Sequence, residues 1–96
     1  MRWRVHVRQR AERDLAEARA WYDAQRPGLG DEFLDAVAAA MQVLATSPER
    51  QPLYFRRFRR VIVARFPYKV FYQTIGEHVV VFRLLHAKQE HGRGLP

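Results

Sequence analysis

The chain has 96 residues, of which 48% are hydrophobic and 28% charged, and it contains no cysteine. That length predicts a single domain with one core, the composition excludes a disordered or membrane-spanning class, and the missing cysteines exclude disulfides and thiolate metal chemistry. Seventeen Lys and Arg against ten Asp and Glu leave a net charge of +7, a positive potential that steers anionic partners such as nucleic acid, an acidic protein segment or phospholipid headgroups.

Trp3 to Val7 alternates apolar and polar residues, the period of a half-buried strand. The same segment mixes Arg2, Arg4 and His6 with its apolar residues, so it is not the unbroken apolar run of a secretion signal, and the expected location is the cytoplasm. From Gln9 to Gln25, Ala11, Leu15, Ala18 and Tyr22 recur at helical spacing. Arg10/Asp14 and Arg13/Glu17 are then i,i+4 ion pairs on the wet side. No good N-cap residue precedes this helix. Arg26-Pro27-Gly28-Leu29-Gly30 ends it, because Pro lacks a donor and Gly tolerates positive φ.

A second helix is predicted from Asp31, with Leu34, Val37, Ala38, Met41, Leu44 and Ala45 as its apolar stripe and Ser47-Pro48 as its stop. The short connection makes the pair an antiparallel helical hairpin. Beyond a polar turn at Pro48–Pro52 the period changes to two. Leu53 to Phe55 is a possible extended segment, and Phe58 to Arg65 sets Arg60, Ile62 and Ala64 against Arg59, Val61 and Val63. Pro67 marks a turn or the start of the next strand. Tyr68 to Thr74 places Tyr68, Val70 and Tyr72 opposite Lys69, Phe71 and Gln73. Gly76-Glu77 reverses the chain into His78–Leu85, where His78, Val80, Phe82 and Leu84 are expected to face away from Val79, Val81, Arg83 and Leu85. Ala87 to Pro96 is polar and glycine-containing, and a mobile tail is expected there. The predicted fold is α+β, in the order β-α-α-β-β-β, with the helical hairpin on one face of a mostly antiparallel four-stranded sheet.

That order, with Trp21-Tyr22, Gln25-Arg26-Pro27-Gly28-Leu29-Gly30 and Glu32-Phe33-Leu34 at the helical junction, resembles the RelE/ParE toxin superfamily of type II toxin–antitoxin systems, and the ParE side of it. Arg59-Arg60, Arg65-Phe66-Pro67-Tyr68, Val70-Phe71-Tyr72 and Leu84-Leu85-His86 are similar to the family's C-terminal strands. The likeness covers nearly the whole chain. After the strand-ending histidine, Ala87-Lys88-Gln89-Glu90 keeps one base and the acid but has Gln89 where a second Arg is common in the family. The resemblance implies a cognate antitoxin as partner, acidic and folding as it binds, with assembly through that antitoxin. It implies DNA gyrase as the target, inhibited by binding. The alternative it carries is a ribosome-dependent endoribonuclease acting on mRNA. Neither reading needs a cofactor or a membrane.

Tyr54-Phe55-Arg56-Arg57-Phe58-Arg59-Arg60 interleaves arginines with rings, and two readings stand beside each other. Guanidinium groups clamp phosphates or carboxylates while rings stack on bases, or strand alternation simply sends the arginines to solvent and the rings inward. Arg56, Arg57, Arg59, Arg60, Arg65, Lys69, Arg83, His86 and Lys88 are the candidate contacts for target or antitoxin. In the nuclease alternative Arg65, Lys69, Arg83 and His86 converge on one sheet face. His86 then serves as acid or base, the cations stabilise the crowded phosphorane, and Tyr72 is a possible proton donor. The opposite reading is that these residues only solvate the sheet and guard its edge. Trp21, Tyr22 and Phe33 either fill the core or line a groove for an antitoxin segment. His6, His78, His86 and His91 show no metal-ligand spacing, so no metal site is expected. Gly28-x-Gly30 lacks the residues of a phosphate loop and is a turn device.

Overall fold

The computed structural model describes residues 3–89 and 95. Strand β1 (Arg4–Val7) leads into helix α1 (Gln9–Gln25), which a tight junction joins to α2 (Leu29–Thr46). A single 3-10 turn at Pro48–Arg50 precedes β2 (Leu53–Phe55), β3 (Phe58–Ile62), β4 (Tyr68–Ile75) and β5 (His78–His86). The sheet has five strands in the order β1-β5-β4-β3-β2, antiparallel except where β1 runs parallel to β5. The expected four strands are thus joined by Leu53–Phe55, which pairs with β3 across an irregular register. Three residues are too few for periodicity to identify a strand, and the ladder to β3 is what makes this one.

Helix α1 starts on Arg8, whose side chain makes no cap hydrogen bond, and α2 starts at Leu29, two residues before the expected Asp31. The earlier start follows from Gly28, which as N-cap takes φ +90°, a conformation that Gly alone adopts without steric cost. Gly30 is already helical and buried, and a side chain there would meet Asp23 and Arg19 of α1. In its absence the Asp23 carboxylate accepts the Gly30 N–H at 2.7 Å, fastening the junction.

The main core lies between the helical hairpin and one sheet face. Tyr22, Phe33, Val37 and Leu44 from the helices meet Val63, Phe66, Val70, Tyr72, Val79, Val81 and Leu84. Tyr22 and Phe33 therefore pack in the core, with ring centroids 5.1 Å apart, and Phe66 stands edge-on to both. The other face carries a second apolar cluster of Phe58, Phe71, Leu85 and Leu95, with Phe55 and Phe82 against it. Alternation along β4 holds as predicted.

Along β5 it does not: Leu84 packs with the helix-side core, and Leu85 joins Phe82 on the opposite face. The cause is a bulge. Tyr72 pairs with Val81 but Phe71 with Arg83, so Phe82 is an extra residue that shifts the phase of everything after it. Strand β3 ends at Ile62 rather than Arg65, because Arg65 takes φ +73° in the turn where Val63 N–H reaches Tyr68 O. Of the polar C-terminal stretch expected to be a tail, residues 90–94 and 96 lie outside the described residues.

Candidate functional site

Parallel strand β1 ends at Val7 beside Val81, and Arg8 N–H closes the pairing on Val81 O at 3.0 Å. From there the chain turns into α1, so the last residues of β5 have a helix beside them instead of a strand. An exposed ladder edge carries donors that need acceptors. Asp14 of α1 supplies one: its carboxylate accepts the Leu84 N–H at 3.1 Å and the Arg83 guanidinium through Nε at 2.6 Å and Nη2 at 3.1 Å. Arg10 adds a longer contact of 3.7 Å. Asp14 is thus buried, 8% exposed, and not on the wet side of the helix as its spacing from Arg10 suggested. Its position three and four residues from Ala11 and Ala18 was the available signal, since that is the phase of the buried stripe.

The gap between α1 and this strand edge is a groove of about 620 Å³, with Arg10, Glu17, Trp21, Tyr68, Arg83 and His86 among its lining residues. Trp21 is 59% exposed and meets Tyr22 edge-on at 5.1 Å. His86 stands edge-on to Tyr68 at 5.2 Å, and its Nδ1 accepts the Lys88 N–H at 3.0 Å. The His86 N–H on the strand edge donates to Gln89 Oε1 at 2.6 Å. Gln89 therefore closes the groove by folding back on the strand that precedes it.

The nine cations and polar groups singled out from sequence are distributed around the molecule. Arg65 pairs with Glu32 of α2 at 2.9 Å, and Arg26 meets the other oxygen of the same carboxylate at 3.1 Å. Hydrogen bonds from Arg65 first, then Arg26, hold the Glu32 carboxyl below the usual carboxylate range. Arg83 is bound to Asp14. Lys69 pairs with Leu85 and so belongs to the face turned away from the helices. Arg65, Lys69, Arg83 and His86 therefore do not converge on one sheet face: Arg83 and His86 share the groove, while Arg65 lies over α2 and Lys69 is across the sheet.

Arg59 and Tyr72 form a cross-strand pair that grips the 3-10 turn. Tyr72 donates to Pro48 O at 2.6 Å, and Arg59 donates to Glu49 O at 3.3 Å and also to Gln51 O. Burial pushes the Tyr72 phenol up to about 12, with Arg59 opposing. A fully buried hydroxyl committed to a main-chain carbonyl anchors the turn, which accounts for Tyr72 without a role in proton transfer. Arg56 takes φ +54° in the β2–β3 turn with its guanidinium 5.1 Å from the Phe55 ring, and Arg60 lies 3.7 Å over Tyr54. Arg8, which the sequence did not single out, sits 4.9 Å over Phe82. Arg57 and Lys88 are exposed. Among the described residues no group of three or more His, Cys, Asp and Glu is placed to hold a metal ion; His91 lies outside them.

A helical hairpin on a mixed five-stranded sheet, with cations set around an edge groove, defines a RelE/ParE-like α+β domain. The fold is shared with a solved structure described as "Chromosomal ParDE TA system from P. aeruginosa", at a TM-score of 0.78 and 14% identity over 88% of this chain and 95% of that one. The family model described as "ParE toxin of type II toxin-antitoxin system, parDE" matches residues 5–91, and the chain belongs to that family. It is therefore the toxin component of such a system, with an antitoxin as its counterpart. No curated protein matches the sequence.

Proposed function

We propose that this toxin acts in the cytoplasm by binding DNA gyrase and arresting it, and that a cognate antitoxin neutralises it through a large interface that includes the α1–β5 groove. The observation that carries a binding role is the separation of Arg65, Lys69, Arg83 and His86. Transfer of a phosphoryl group through a phosphorane needs a base, a charge-stabilising cation and an acid within reach of one reacting centre. Here two of the four cationic candidates are engaged by Glu32 and Asp14, and a third is on the far side of the sheet. The groove supports the antitoxin reading, because it joins an exposed indole to a strand edge and to both signs of charge. An acidic segment that folds as it docks would bury Trp21 and meet Arg10. Assembly of more than one toxin would then proceed through the antitoxin.

The test is induced expression with and without the antitoxin, read by plasmid topology and by integrity of translating mRNA, followed by supercoiling assays with purified gyrase. Gyrase arrest with intact mRNA is expected, and His86→Ala should leave arrest in place. Cleaved mRNA with normal supercoiling would establish the endoribonuclease reading instead.

A further inference from the structure

Parallel pairing of β1 with β5 places Arg4 beside His78 and His6 beside Val80. His6 and His78 are therefore diagonal neighbours on one face, although 72 positions separate them in the chain. Val5 and Val79 pack toward the helices, so by alternation both histidines belong to the opposite face. His6 Nε2 and His78 Nδ1 stand 2.9 Å apart, with ring centroids at 5.0 Å and planes inclined by 37°. His6 is exposed and His78 half-buried, so the pair is open to solvent from one side.

We infer that His6 and His78 form a two-imidazole chelate for a divalent d-block cation of the nickel, copper and zinc group. Neutral imidazole nitrogen is the common protein donor for these ions. At a metal–nitrogen distance of about 2.0–2.1 Å, two ligands at adjacent corners of a square or octahedron stand about 2.9 Å apart, and two at tetrahedral corners about 3.3 Å. The observed separation matches the first arrangement and is within a small ring rotation of the second. In the metal-free pair one nitrogen donates its proton to the other. Metal entry needs that proton to move to the opposite nitrogen of the same ring, so both facing lone pairs turn to the ion and no net charge is lost from the pair.

The surroundings set the affinity. Ile75 and Val80 are the register neighbours of the two histidines, and Arg4 is the adjacent cation. No acidic residue among those register neighbours offsets the ion's charge, and the described residues hold no third ligand of the His, Cys, Asp or Glu type. The remaining coordination positions are therefore left to water or to a donor from a partner molecule. Because one ligand comes from each strand, the ion bolts the parallel edge strand to the sheet. It binds the folded chain more tightly than the unfolded one, where the two histidines are far apart, so it raises stability by mass action.

The experiment uses the untagged full chain, titrated with NiCl2 and ZnCl2 by calorimetry and followed by thermal melting. One Ni2+ per chain is expected, with a rise in Tm on saturation. His6→Ala and His78→Ala should each weaken binding by at least about tenfold, and a variant lacking both His86 and His91 should bind as the parent does. In NMR spectra of the parent chain, Ni2+ should broaden signals around Arg4–His6 and Glu77–Val80 first, a readout that needs no variant to fold. Absence of saturable binding, broadening centred elsewhere, or parental affinity in folded His6→Ala would overturn the inference.

Discussion

Tyr72 shows how much a single hydroxyl is asked to do. It lies at 0% exposure beneath the helices, and its proton goes to Pro48 O. Tyr72→Phe leaves a buried carbonyl without its donor, so a loss of about 1–3 kcal/mol is expected in urea unfolding. The same burial gives an alkaline signature. The fold favours the neutral phenol, so its contribution is complete below the ordinary pKa near 10 and is lost as pH rises from there through about 12. Tyr22 and Tyr68 are raised as well, both chiefly by burial. Stability measured against pH should fall across that window, and less steeply in Tyr72→Phe.

Asp14 is the second residue with large consequences. Removing its carboxylate takes the Asp14 contact from the Arg83 guanidinium, 13% exposed, and the acceptor from Leu84 N–H. Loss of one member of a buried pair costs about 3–5 kcal/mol. Asp14→Ala is expected near the lower figure, as a shift in urea midpoint at constant m-value. Trp21 is the converse case. It is mostly exposed, so Trp21→Ala should leave the melting temperature nearly unchanged while weakening antitoxin binding by about 2 kcal/mol in calorimetry. An unchanged affinity would move the antitoxin away from the groove.

At the scale of elements, both helices and β4 carry unambiguous periods, and the boundaries of the helices and of the two long hairpin strands were legible to within two or three residues. The helical junction depends on Gly28, whose φ of +90° places the first turn of α2. Gly28→Ala should destabilise by about 1–2 kcal/mol, read as a lower Tm, because a Cβ there is strained even though nothing crowds it. The bulge at Phe82 was not legible. A one-residue insertion leaves no mark on an apolar run such as Val79–Leu85, where either phase buries hydrophobic side chains. It was this bulge that turned Leu84 to the helix side and Leu85 to the opposite face, the reverse of the expected phase.

For the whole molecule, the net charge of +7 governs encounter more than residence. Association with an acidic antitoxin should slow by about tenfold or more between low and high salt, while dissociation changes little; stopped-flow measurements at several ionic strengths check this. A rate independent of salt would mean that the arginines parked over Tyr54, Phe55 and Phe82 serve packing alone.

Periodicity, turn residues and charge, all local properties, were enough to determine the order of elements (apart from β2), the helical hairpin, the faces of β4 and the cationic character of the second half. They also carried the family likeness, which depends on the order of short motifs. What the tertiary structure alone decided is which distant side chains meet: Asp14 with Arg83, Glu32 with Arg65, His6 with His78. Each of these contacts joins segments from different parts of the chain. Their pairing is dictated by strand order, a parallel register and one bulge, and no local spacing encodes those.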